Sequence, residues 1–170
     1  MNWIIRTLPL IFVIISVSSC SVSFNFTGGG AVDPRLQTLS IDNFLNEAPV
    51  VVPFLAQELN QQMQDRFLSQ SNLTLTSGSA DIRISGIIRR YDLRPVAVTG
   101  NETASQNRLT IGVLIKFDNM VEPGESWEKD FSRFVDFDAS EDFTSVEPDL
   151  IEEIVEQITQ DVFTESVGNW

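Results

Sequence analysis

Histidine is absent from this 170-residue sequence, and cysteine occurs once, at position 20. The first absence removes the commonest general base near neutral pH and the commonest metal ligand. The second excludes a disulfide within the chain. Cations are scarce as well: 11 Lys and Arg stand against 24 Asp and Glu, a formal net charge of −13. So acidic a chain has no general attraction for nucleic acid or for an anionic membrane surface, and a polyanionic ligand would have to meet a local basic cluster. Long apolar runs are missing too. The longest, Leu8 to Val17, is broken by Pro9 and Ser16 and is about half of the ~20 residues that cross a bilayer as a helix. There is no G-x-S-x-G, no glycine loop to cradle phosphate and no Cys–His pair, so no enzyme and no dissociable cofactor are expected.

What the N-terminus does hold is a basic start at Arg6, a short apolar middle and small residues before Cys20. These are the marks of a secretory signal peptide over residues 1–19. Its end, Val17-Ser18-Ser19-Cys20, resembles a bacterial lipobox. The resemblance implies a diacylglyceryl thioether and an N-acyl group (palmitate among the usual chains) on Cys20. Each buried methylene contributes ~0.8 kcal/mol, so three acyl chains make a lasting anchor. Cleavage would remove Arg6 and leave about 150 residues, one unit more negative and a usual length for one domain. Residues 20–34 read as the lipidated cysteine and a flexible tether with the triple glycine 28–30, and 35–170 as a single domain. The N-x-T triplets at Asn25, Asn72 and Asn101 are read as chance or turn chemistry in a bacterial chain.

Periodicity outlines that domain. A first strand fits Leu36 to Phe44. Pro53 then suits the opening turn of a helix, along which Leu55, Leu59, Met63 and Phe67 recur on one face. A strand at Ala80–Tyr91 sets Ile82, Ile84 and Ile88 at one parity, interrupted by Gly86. Arg108–Asp118 alternates strictly through Leu109, Ile111, Val113, Ile115 and Phe117, making it the most secure strand. A turn at Glu122–Glu125 leads to a fourth strand with Trp127, Phe131 and Val135 inward. The last element is a helix with Ser145 as N-cap, Pro148 at its third position and an apolar ridge of Leu150, Ile154, Ile158 and Val162. The fold class is α+β, in the order β-α-β-β-β-α: two helices packed on one face of a four-stranded mixed β-sheet. The helix between the first two strands lets them run parallel, and short links make the rest antiparallel.

Two places could carry chemistry. Asp136, Asp138, Ser140, Asp142, Thr144 and Glu147 match positions 1, 3, 5, 7, 9 and 12 of a calcium-binding EF-hand loop. However, Glu141 stands where glycine should turn the chain, and a strand precedes the loop. An acidic loop capping the final helix is the simpler reading. The second place is the polar connection Asp92–Asn107, which carries Asn101 and has Arg89, Arg90, Arg94 and Arg108 at its base. Guanidinium groups suit phosphate and carboxylate; Arg90, Arg94, Arg108 and Asn101 are therefore the candidates for contact with an anionic lipid or a partner, against the alternative that the arginines only neutralise nearby acids.

The stretches FLSQSNLTL (67–75), GNETASQNRLTIGV (100–113), FSRFVDF (131–137), LIEEIVEQITQDVF (150–163) and the terminal NW, together with the lipobox, resemble the LPS-assembly lipoprotein family LptE in its Bacteroidetes form. The resemblance implies helices on a four-stranded mixed sheet. It also implies a lipoprotein at the periplasmic face of the outer membrane that plugs and helps assemble the large β-barrel LptD and binds lipopolysaccharide. Ser-Val-Ser-Phe after Cys20 lacks the acidic signals of inner-membrane retention or surface export. The alternatives are a periplasm-facing lipoprotein that binds a small ligand or calcium, and a structural envelope lipoprotein.

Overall fold

The structure, a computed structural model, describes residues 33–96 and 105–167. The signal segment, Cys20, most of the tether and Asn101 lie outside the described residues. In chain order the elements are β1 (Thr38–Ile41), β2 (Leu45–Asn46), α1 (Leu55–Gln70), β3 (Thr74–Leu75), β4 (Ile82–Val96), β5 (Gln106–Asn119), β6 (Trp127–Asp138) and α2 (Phe143–Val167), with a 3-10 turn at Pro123–Glu125. The sheet order is β3-β1-β4-β5-β6, with β2 also pairing with β4. Through the α1 crossover, β1 runs parallel to β4. β4, β5 and β6 form an antiparallel meander. The sheet is thus α+β and mixed as expected, with two added strands of two residues each, too short to leave any periodicity in the sequence.

One face of the sheet is packed and the other is open. Leu109, Ile111, Val113, Ile115 and Phe117 of β5 are all buried, as period-two alternation with one wet face requires. The ridge Leu55, Leu59, Met63 and Phe67 of α1 is wholly buried, as are Ile151, Ile154, Val155, Ile158 and Val162 of α2. The two helices meet through an edge-on contact of Phe67 with Phe163, ring centroids 5.1 Å apart. Trp127, Phe131 and Val135 of β6 pack partly buried against this core.

Three local readings need correction. The final helix begins at Phe143, ahead of Ser145. Asp142 serves as its cap, accepting the Thr144 N–H at 3.4 Å and the Ser145 hydroxyl at 3.1 Å. Pro148 therefore lies inside the helix, where its missing N–H leaves the Thr144 carbonyl without its usual donor. Second, β4 continues to Val96 because β5 pairs with it as far as Gln106, so residues 92–96 and 106–107 of the connection Asp92–Asn107 are strand. Third, the first strand is interrupted: it ends at Ile41 and resumes briefly at Leu45–Asn46.

β4 also carries a register shift between Ile88 and Arg90, a bulge that puts two inward residues, Ile88 and Tyr91, three apart. Tyr91 is buried, and its hydroxyl donates to Glu147 of α2. Burial and that carboxylate together hold the phenol in its protonated form. Lower on the same strand, Gly86 stands opposite Ile115, and the Phe44 ring fills the space a side chain would take.

Asp81 fastens the start of the sheet. Its carboxylate accepts the Thr38 hydroxyl at 2.7 Å and the backbone N–H groups of Thr38 and Gln37 at 2.9 and 3.0 Å. The Thr38 hydroxyl, then the two N–H groups, hold its pKa below the ordinary value of 3.8. A depressed carboxylate stabilises the fold fully above its ordinary pKa, and that contribution disappears as pH falls through the folded value. Asp81→Ala is accordingly expected to cost about 2 kcal/mol near pH 7. The gap between variant and wild type should narrow in urea titrations as pH is taken below the ordinary value of 3.8; an equal gap at both pH values would mean that the charge is irrelevant.

Candidate functional site

The open face of the sheet collects cations and sets them among acids: Asp92, Asp118, Glu128, Asp130, Asp136 and Asp138 share it. The Met120 N–H bonds to the Asp81 carbonyl and the Ala139 N–H to the Ser105 carbonyl. With the strand register, these fix which residues share each face. Cross-strand rows on the open side run Arg94–Arg108–Asp136, Asp92–Thr110–Phe134, Arg90–Gly112–Ser132 and Ile87–Leu114–Asp130. Arg83 and Lys116 stand on the same face toward its other end. Arg89, at the bulge, reaches Asp130 at 3.8 Å. Six of the chain's 11 Lys and Arg residues therefore serve one side.

Their states differ. Arg108 makes a bidentate pair with Asp136 at 2.7 and 2.8 Å, and its guanidinium lies 3.6 Å from the centre of the Phe134 ring. The pair holds Asp136 below the usual carboxylate range and raises Arg108. Arg94 is bridged to Asp92 at 2.7 Å. Arg90 has no ion pair among the described residues, and neither has Arg83. The stem of Arg90 crosses Gly112, where a Cβ would meet Arg90 Cβ at 3.1 Å and Ser132 Oγ at 3.6 Å. The missing side chain at Gly112 thus gives Arg90 a shallow bed flanked by hydroxyl groups and the exposed Phe134.

The helix layer is one-sidedly acidic. α2 carries seven Asp and Glu and no Lys or Arg, while α1 carries Arg66 against Glu58 and Asp65. A groove of about 790 Å³ between the helices is lined by Glu58, Asp65, Glu152 and Glu156, with Arg66 and several amides. Such a lining repels anions. A second groove, of about 460 Å³, is lined by Asn43, Gln57, Asn60, Gln61 and Gln64 around Phe44 and Ala56. There an amide chain runs from Gln64 to Asn60 to Asn43, each donor–acceptor distance 3.1 Å. No described helix is long and apolar enough to cross a membrane.

The calcium-loop carboxylates are spent on other partners. Asp136 holds Arg108. Asp138 accepts the Ser140 N–H and hydroxyl at 2.8 and 2.6 Å, which hold it below the usual carboxylate range. Asp142 caps α2, and Glu147 accepts the hydrogen bond of the Tyr91 hydroxyl. Among the described residues no three acidic or thiol groups converge as a metal site.

Of the candidate contacts chosen from sequence, Arg90, Arg94 and Arg108 do share one face, and Asn101 lies outside the described residues. Arg83, Lys116, Gly112 and Phe134 were missed. Their signal was strand parity, hidden in β4 by the bulge, which moves the open-face positions from odd to even numbers.

Comparisons with known proteins agree with this architecture. The family model described as "LptE: Lipopolysaccharide-assembly" matches residues 36–166. No curated protein is significantly similar in sequence. Among solved structures, the chain resembles a minor lipoprotein from Acinetobacter baumannii at 11% identity and TM-score 0.53, covering 79% of this chain and 95% of that one. It is similar also to the rare lipoprotein B from Shewanella oneidensis at 11% identity and TM-score 0.52, covering 78% and 95%. An uncharacterized lipoprotein B from Nitrosomonas europaea matches at 9% identity and TM-score 0.53, covering 79% and 84%. These likenesses concern the fold. With the family match spanning most of the sequence, the chain belongs to the LptE lipopolysaccharide-assembly family, whose members are lipoproteins without enzymatic activity.

Proposed function

We propose that this protein is an outer-membrane lipoprotein, held at the periplasmic face by acyl chains on Cys20, that plugs and helps assemble an LptD-like β-barrel and meets lipopolysaccharide with its open sheet face. The family match over residues 36–166 carries the reading. The segregation of charge supports the choice of face, because anionic lipid A phosphates are repelled by the helix layer and attracted to Arg83 and Arg90. Arg90 binds a phosphate oxygen over Gly112, and Phe134 and Leu114 offer apolar surface beside it. A polar-surfaced domain tethered beside the barrel finds its lumen at high effective concentration.

The tagged, full-length lipoprotein is expected to bring down a large outer-membrane barrel at near-equal stoichiometry from detergent extract. Absence of that barrel, with the lipoprotein lipidated and folded, would sink the reading in favour of a small-ligand or structural role. In the same preparation Arg90→Ala is expected to weaken lipopolysaccharide binding about tenfold, the loss of one charge-assisted contact. Its melting temperature should stay unchanged, since the side chain is exposed and unpaired.

A further inference from the structure

Among the described residues the sheet has four stretches of edge, and they are not treated alike. On one side β3 and β2 leave edges of only two residues each. On β4, residues beyond Ile88 pair with β5 alone; that stretch begins with the bulge and ends near Pro95, which stands where an N–H would point away from β5. Short strands, bulges and prolines are the usual guards against pairing with another chain. β6 has none of them: it is twelve residues long, without proline, and its register with β5 is unbroken from Trp127 to Asp138.

The ladder tells which of its groups are free. Because Ala139 N–H bonds Ser105 and the register is regular, odd residues of β6 direct N–H and C=O toward β5. The even residues Glu128, Asp130, Ser132, Phe134, Asp136 and Asp138 turn theirs outward, the carbonyl of Asp138 already accepting the Glu141 N–H. Among the described residues no strand pairs with that outer side. The same six residues put their side chains on the open face, and four of them are acids.

We propose that β6 accepts an added antiparallel strand from a protein partner, an extended segment carrying Lys or Arg at alternate positions. A second copy of this chain does not fit. In the centred antiparallel register, residues of equal parity lie opposite each other, so Glu128 would face Asp138 and Asp130 would face Asp136, and like charges directly opposite are destabilising. Asp136 is held by Arg108 and Asp130 lies within reach of Arg89. The acids of this row without an ion pair among the described residues are therefore Glu128 and Asp138, and a strand with cations opposite them turns that repulsion into attraction. On the helix face, Lys129 and Arg133 are already bound to Glu165 and Asp161 of α2, so that side asks little of the partner.

This inference rests on the barrel reading for the identity of the partner, and the test separates the two. Ser132→Pro removes an outward N–H without breaking a bond to β5, and Ser132→Ala removes the hydroxyl while keeping the N–H. In the barrel pull-down, Ser132→Pro is expected to cut recovery about tenfold, with Ser132→Ala at the wild-type level. Both should melt within a few degrees of wild type. Glu128→Lys, which loses no ion pair among the described residues, is expected to cut recovery several-fold. Barrel recovered equally with Ser132→Pro and Ser132→Ala would overturn the edge site and leave the barrel reading standing. Unchanged recovery with Glu128→Lys would overturn the cationic character of the strand, and absence of the barrel from the wild-type pull-down would remove both proposals.

Discussion

Phe67→Ala is expected to lower the stability of the fold by about 4 kcal/mol, in the range for large aromatic truncations in a core. Phe67 sits in the last turn of α1 with no exposed surface. Its ring meets Phe163 of α2 edge-on, 72° between planes. Removing it leaves a cavity at the place where the helices hold each other, and both helices are already pinned to the sheet by their other apolar residues, so collapse into the gap is limited. In a chain of this size the loss corresponds to a fall of roughly 15 °C in melting temperature. Thermal melts of the soluble domain, with Phe163→Ala and the double variant, would give the coupling of the two rings, expected at about 1 kcal/mol. A total loss under ~1.5 kcal/mol would mean that the helices are held through the sheet and hardly through each other.

Gly86→Ala is expected to cost about 3 kcal/mol, near the upper end for overpacking. A Cβ there would stand 2.6 Å from the Leu114 carbonyl oxygen and 2.8 Å from the Phe44 ring. The carbonyl belongs to the β5 backbone and cannot retreat without opening the ladder, and the buried Phe44 ring would have to give up its place in the core. Gly124→Ala is the control: a Cβ in that turn meets nothing within 4 Å, and its effect should stay within about 0.5 kcal/mol. Denaturant unfolding of the two variants side by side measures the difference. Equal effects would show that β4 and β5 slide apart more readily than their long register suggests.

These two positions also mark how far the sequence could be read. The ridge that includes Phe67 was legible because four apolar residues at one spacing have one helical explanation. The central strand was legible for the same reason at period two. Gly86 was legible only as an interruption, since what fills its space, Phe44, is more than forty residues away in the chain. The extension of β4 to Val96 was hidden because Asp92, Arg94 and Pro95 look like loop residues until β5 supplies partners for them. The early start of α2 was missed because a serine three positions into a helix resembles a cap as well as a capping aspartate does. In the candidate site, the gathering of arginines was visible as a count. Which of them are spent on acids and which are free is a matter of cross-strand rows, and the bulge at Ile88–Arg90 erased the parity that would have predicted those rows.

The position of β1 inside the sheet, between β3 and β4, has a consequence in time. In a chain synthesised from its N-terminus, Thr38–Ile41 appears first, yet both of its neighbours come later, at Thr74–Leu75 and Ile82–Ile84. The meander that follows can close hairpin by hairpin, since its contacts are close in sequence, whereas β1 must wait for a loop of about forty residues to be drawn shut. β1 therefore stays without strand partners until the chain has emerged past Ile84, and it is fastened only when Asp81 arrives to clasp Thr38.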